Sequence, residues 1–84
     1  HALMAKTLLT PAYEHFCSLL ITARETVGLT QSDVASRLAR PQSFVSKYES
    51  AERRLDVLEF LQICQVLKAD AQAILNVVQL RMDV

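Results

Sequence analysis

Eighty-four residues carrying nine Lys/Arg and nine Asp/Glu make a neutral chain that is 51% hydrophobic, with one Gly and two Pro. That length bounds it to one small domain, and the composition excludes a disordered segment. Zero net charge argues against strong nonspecific nucleic-acid binding, and no apolar run reaches the ~18 residues of a membrane span.

Residues 1–9 read as an N-terminal tail, with Met4 the expected natural start and His1-Ala2-Leu3 an expression remnant; residues 10–84 read as a single domain. No signal peptide is read. The first helix is expected from Thr10-Pro11, a capping hydroxyl followed by the residue best suited to the first helical position. Tyr13, Phe16, Leu20, Ala23 and Val27 then recur at helical spacing as its apolar face, and Gly28 fits the left-handed residue that ends a helix. A second helix is expected over Gln31–Leu38, with Thr30 as cap, Asp33 as its capping-box partner, and Val34, Ala35 and Leu38 facing inward.

The third helix, over Gln42–Ser50, divides sharply. Advancing ~100° per residue sets Gln42, Ser43, Ser46, Lys47 and Ser50 on one side, with Phe44, Val45 and Tyr48 on the other. One side packs and the other stays open to hydrogen-bond. A fourth helix starts at the Asp56 cap with Glu59 three residues on, and its apolar stripe is expected to be Val57, Leu58, Leu61, Cys64 and Leu67, widened by Phe60 and Ile63. A fifth covers roughly Asp70–Leu80 and is apolar on more than one side. No strand-like alternation, repeat or low-complexity segment interrupts this, so the fold class is all-α, five short helices.

Two short helices, each opening on a glutamine and joined by a tight turn, have the layout of a helix-turn-helix, in which the second helix enters the major groove of DNA. Charge is distributed to match. Residues 31–54 hold Arg37, Arg40, Lys47, Arg53 and Arg54 against Asp33, Glu49 and Glu52, whereas residues 55–84 hold Lys68 and Arg81 against Asp56, Glu59, Asp70 and Asp83. The basic excess lies on the motif, turning one face toward phosphates.

The stretch from Arg24 to Leu67 resembles the Xre/Cro/lambda-repressor helix-turn-helix family. The resemblance rests on Arg24, Gly28-Leu29-Thr30-Gln31, Val34-Ala35, Leu38, Gln42-Ser43, Val45-Ser46, Glu49, Arg53-Arg54-Leu55-Asp56 and Leu67. It implies a lambda-repressor-like fold and a role for each matching residue. Gln31 would contact a phosphate and brace the next helix. Gln42 would read a base edge, since an amide donates and accepts at once and suits adenine N6 and N7, worth ~1–3 kcal/mol of discrimination. Ser43 and Lys47 would contact base or backbone, Ser46 and Ser50 would donate to phosphates, and Arg53 and Arg54 would pair with phosphate or reach the minor groove, with Arg40 on the same DNA-binding face. Arg24 and Glu49 would form a partly buried structural ion pair. Members often carry glycine where this chain has Ala39 and Ala51, which predicts turns of slightly different shape here.

The function expected is a sequence-specific transcriptional regulator, a repressor occupying a palindromic site in double-stranded DNA. Members commonly dimerise so that two recognition helices meet major grooves ~34 Å apart. The surplus apolar surface of the fifth helix makes Ile74, Val77, Val78 and Leu80 the candidate homodimer interface. The alternative is a protein-interaction module with the same fold, an antitoxin holding a toxin or an adaptor. Cys17 and Cys64 lack metal-ligand spacing and read as buried free thiols, which fits a cytoplasmic location. His15 beside Cys17 builds no metal site, no acid–histidine constellation points to an enzyme, and no cofactor motif is present.

Overall fold

The computed structural model describes residues 10–82; the expected tail at 1–9 lies outside the described residues. Five helices follow in chain order: α1 Pro11–Thr26, α2 Gln31–Leu38, α3 Gln42–Glu49, α4 Val57–Leu67 and α5 Ala71–Leu80. No strand occurs among the described residues.

Capping chemistry sets the starts. Thr10, Thr30, Asp56 and Asp70 each accept from a backbone amide three residues on, and at Thr30 and Asp56 the capping box is completed by Asp33 and Glu59. These bonds satisfy amides that have no partner within the helix. Only α3 begins without a side-chain cap, because Pro41 stands at its entry.

The ends of the first four helices share one device. After α1 the amide of Leu29 reaches back to the Arg24 carbonyl, and Arg40, Glu52 and Ala69 reach back to Ala35, Lys47 and Cys64 after α2, α3 and α4. Each such bond spans a residue in the left-handed region, namely Gly28, Ala39, Ala51 and Lys68 at φ between 55° and 76°. This is the Schellman closure, which glycine normally serves. The alanines therefore do not reshape the turns around the third helix. Both take the glycine-type conformation and absorb its steric cost of roughly 1–2 kcal/mol each.

The core gathers Phe16, Cys17 and Leu20 of α1, Val34 and Ala35 of α2, Phe44, Val45 and Tyr48 of α3, and Phe60, Ile63, Cys64 and Leu67 of α4. Phe16 meets Phe60 at 5.2 Å between ring centres, and Phe44 meets Tyr48 edge-on at 5.4 Å. Both cysteines are buried free thiols, as their patterning predicts, and burial raises both thiol pKa values.

Two apolar faces differ from expectation. On α4 the packed stripe is Phe60, Ile63, Cys64 and Leu67, while Val57 and Leu58 stand 72% and 71% exposed and Leu61 is also exposed. One helix buries one stripe, and a run that is apolar on most sides does not say which. On α5, Ile74 and Val78 pack half-buried against the core, whereas Leu75, Val77 and Leu80 face outward. Val27, assigned by spacing to the inner face of the first helix, is exposed beyond the helix end.

Candidate nucleic-acid interface

The division of α3 is as its helical spacing predicts. Phe44, Val45, Tyr48 and Glu49 are buried, Gln42, Ser43, Lys47 and Ser50 are exposed, and Ser46 is half-buried. A polar stripe thus lies open along a helix whose other side is locked in the core. The Lys47 ammonium forms no ion pair among the described residues.

Behind the stripe runs a chain of polar contacts. Arg24 donates from Nε to Glu49 Oε2 at 2.7 Å and from Nη2 to Oε1 at 3.2 Å, and its Nη1 donates to the Leu29 carbonyl at 2.9 Å. Glu49 Oε1 also accepts from Gln31 Nε2 at 2.8 Å, and Gln31 Oε1 accepts from Gln42 Nε2 at 3.0 Å. The ion-pair side chains are 14% and 5% exposed, so the bridge belongs to the interior. It spans the end of α1, the end of α3 and, through Gln31, the start of α2. The expected structural pair is present, and the two glutamines extend it to the surface.

Ionic chemistry fixes the direction of that chain. A carboxylate only accepts, so the Gln31 nitrogen must face Glu49 and its oxygen must face Gln42. Gln42 must then donate with one of its two N–H groups. Its second N–H and its Oε1 remain, side by side on an exposed residue.

Three arginines flank this surface. Arg53 forks onto Glu59, Nη1 to Oε1 at 2.9 Å and Nη2 to Oε2 at 2.8 Å, and Arg40 Nη2 reaches Oε2 at 3.2 Å. Both guanidiniums lie against the Phe44 ring, at 4.3 Å for Arg40 and 5.0 Å for Arg53. Arg54 stacks on Tyr13 at 4.4 Å. The hydrogen bonds from Arg53, then the Asp56 amide, hold the Glu59 carboxyl down at about 2.

Residues 16–75 match the family model described as a helix-turn-helix domain. A solved structure titled "XRE-family like protein from Pseudomonas syringae pv. tomato str. DC3000" is similar at a TM-score of 0.81 and 44% identity, over 94% of this chain and 96% of that one. The chain belongs to the Xre-type helix-turn-helix family. No curated protein matches it. The family model and the structural neighbour together support a DNA-binding regulator.

Within this Xre-type frame, α2 and α3 are the two helices of the motif, and Ala39–Pro41 is its turn. Sequence reasoning brings Gln31, Gln42, Ser43, Ser46 and Lys47 to one region, and the structure places them there. Ser50 is directed elsewhere: its hydroxyl lies 2.9 Å from Glu52 Oε2 and 3.2 Å from the Lys47 carbonyl, so its single proton already has acceptors. Two residues escaped the sequence reading. Glu59 reads as a helix-capping partner, which it is, since the Asp56 amide donates to its Oε1 at 3.0 Å. Capping leaves the rest of the carboxylate unspent, and that is the signal for its second role. Tyr13 reads as apolar, but its hydroxyl accepts from the Leu55 amide at 3.2 Å and donates to the Arg53 carbonyl at 3.4 Å, tying the loop after α3 to α1. No cluster of His, Cys, Asp or Glu suited to a metal occurs among the described residues. No helix among them is long and apolar enough to cross a membrane.

Proposed function

We propose that the chain is a sequence-specific repressor that inserts α3 into the major groove, with Gln42 reading an adenine. The observation that carries this is the amide of Gln42, whose polarity is set from the interior by Arg24, Glu49 and Gln31. It offers one donor and one acceptor in a fixed order, the complement of adenine N7 and N6. Ser43, Ser46 and Lys47 share the open face, and Arg40 stands at its leading edge. Repression follows from occupancy of a site that polymerase needs.

One α3 spans only a few base pairs, so the reading includes a homodimer on a palindromic operator. The exposed side of α5, with Leu75, Val77 and Leu80, supports a twofold contact, and Ile74 and Val78 hold that helix to its own core. Selection from a random duplex pool tests the whole reading. The expected outcome is an inverted repeat with half-sites one helical turn apart, and Gln42→Ala relaxing preference at a single position per half-site. Recovery of no sequence, or equal loss on all sequences from Gln42→Ala, rejects it.

A second reading, a protein-interaction module of the antitoxin or adaptor kind, is favoured by one observation: Val57 and Leu58 stand exposed at the start of α4. Recovery of no DNA sequence, together with a co-purifying protein that a Val57→Ser, Leu58→Ser variant loses, would point that way.

A further inference from the structure

Arg40 and Arg53 bracket α3, one in the turn before it and one in the loop after it, and both meet the same carboxylate. Their hydrogen bonding is unequal. Arg53 commits both terminal nitrogens of its fork to Glu59, and its Nη1 also donates to the Arg54 carbonyl at 3.0 Å. Its backbone is held as well, by a hydrogen bond from its own N–H to the Lys47 carbonyl and by the Tyr13 hydroxyl donating to its carbonyl. Arg40 gives Glu59 a single longer bond from Nη2, while its Nε and Nη1 donate to nothing among the described residues. Glu59 is saturated, since it accepts from Arg53 twice, from Arg40 once and from the Asp56 amide once, about the four bonds a carboxylate can take. Its side chain is 10% exposed against 40% and 42% for the arginines, so the acid is anchored and the guanidiniums reach outward from it.

We propose that Glu59 is a positioning residue that sorts these two arginines: it retains Arg53 as a strut of the protein's own loop and aims the open edge of Arg40 at a DNA phosphate beside Gln42. This rests on the DNA-binding reading. An arginine whose fork already grips a carboxylate neutralises no phosphate when DNA arrives, and so displaces none of the counterions condensed on the duplex. Arg40 lies against the Phe44 ring at 4.3 Å, which fixes its plane without using its remaining donors. On this flank the protein therefore makes one phosphate contact rather than two.

The salt dependence of binding reads this directly, because each phosphate contact contributes about 0.9 to the slope of log K against log salt, roughly a 3.5-fold difference between 50 and 200 mM. The probe is the tightest duplex recovered by selection, with thermal unfolding run on every variant. Arg40→Ala is expected to lower the slope by one contact. Arg53→Ala is expected to leave the slope unchanged while lowering the melting temperature. Glu59→Gln is expected to raise the slope by one contact, and Glu59→Gln with Arg53→Ala to remove that gain. A slope lowered by Arg53→Ala as much as by Arg40→Ala overturns the proposal, as does a slope indifferent to Arg40→Ala. Each arginine variant leaves the other ion pair on Glu59 intact, so these two decide the matter even if Glu59→Gln does not fold. A wild-type protein that binds no duplex sinks the DNA reading, and this inference with it, whereas binding with the wrong slopes sinks the inference alone.

Discussion

Gln42 donates from Nε2 to Oε1 of Gln31 at 3.0 Å, and Gln31 in turn donates to Glu49 at 2.8 Å. The exposed amide therefore has its orientation decided by a buried carboxylate two residues away in the chain of contacts. A free glutamine amide presents either end outward with nearly equal ease. Here a flipped Gln42 would set oxygen against the Gln31 oxygen, and a flipped Gln31 would set oxygen against carboxylate and nitrogen against nitrogen.

That dependence separates Gln31 from an ordinary backbone contact. Gln31→Ala is expected to relax base preference at the same position as Gln42→Ala, in addition to any uniform loss of affinity. Gln31→Glu brings a second acceptor against Glu49 and should be worse than alanine. The check is a comparison of selected-site profiles for the three variants. A Gln31→Ala profile identical to wild type, with affinity lowered evenly, would show that the brace has no part in reading.

The Arg24–Glu49 bridge seats the far end of α3, and its side chains are almost wholly removed from water. Replacing one partner strands the other charge, at a cost of about 3–5 kcal/mol. Arg24→Ala and Glu49→Ala are each expected to lose that much in denaturant unfolding. Paired replacement by apolar residues of similar length, Arg24→Met with Glu49→Leu, should lose less than either single change, because no uncompensated charge remains. Gln31 would then lack its acceptor, so DNA preference should relax even where stability recovers.

Ala39, Ala51 and Lys68 all hold positive φ without being glycine. Ala39 is exposed and packs against little, so Ala39→Gly removes left-handed strain of about 1–2 kcal/mol and adds back about 0.5–1 kcal/mol of chain entropy in the unfolded state. A gain of up to about 1.5 kcal/mol is expected, seen as a raised denaturant midpoint at constant slope. Ala51 is buried, and losing its methyl removes about 0.8 kcal/mol of burial, so Ala51→Gly should come out near neutral. Equal gains at both positions would mean that the Ala51 methyl contributes nothing to packing.

Most of the fold was legible because its punctuation is strong. Thr10-Pro11, Thr30 with Asp33, Gly28, and Asp56 with Glu59 mark helix ends by local chemistry, which needs no tertiary knowledge. The open face of α3 was legible because its polar and apolar residues separate cleanly at helical spacing. The inner face of α4 was not, since Val57, Leu58, Phe60, Leu61 and Ile63 surround the helix and only docking against α2 and α5, with Phe60 on Phe16 of α1, selects among them. The positive-φ alanines were misread for a related reason. Local propensity disfavours that conformation, yet the Schellman bonds and the packing on either side hold it in place. The gathering of Arg40, Arg53 and Glu59 joins residues from three separate segments, and no spacing rule links them.

Glu59 also gives the protein an acid-sensitive element. Its carboxyl sits at about 2 in the fold, drawn down first by the Arg53 hydrogen bonds and next by the Asp56 amide, against an ordinary value of 4.5. A carboxyl lowered on folding contributes stability that is fully present above its unfolded value and is lost as pH falls through its folded value. The window is therefore pH 4.5 down to about 2. Asp33 acts in the same direction, because the Thr30 amide and hydroxyl lower its pKa too. Wild-type and Glu59→Gln proteins should differ in stability by a constant amount from neutral pH down to about 5, with Glu59→Gln the weaker, and the two curves should converge below that as Glu59 takes up its proton. An Asp33→Asn control removes the other contribution without touching the arginines. Parallel unfolding curves through the whole acid range would mean that the Arg40–Glu59–Arg53 cluster holds no charge-dependent stability.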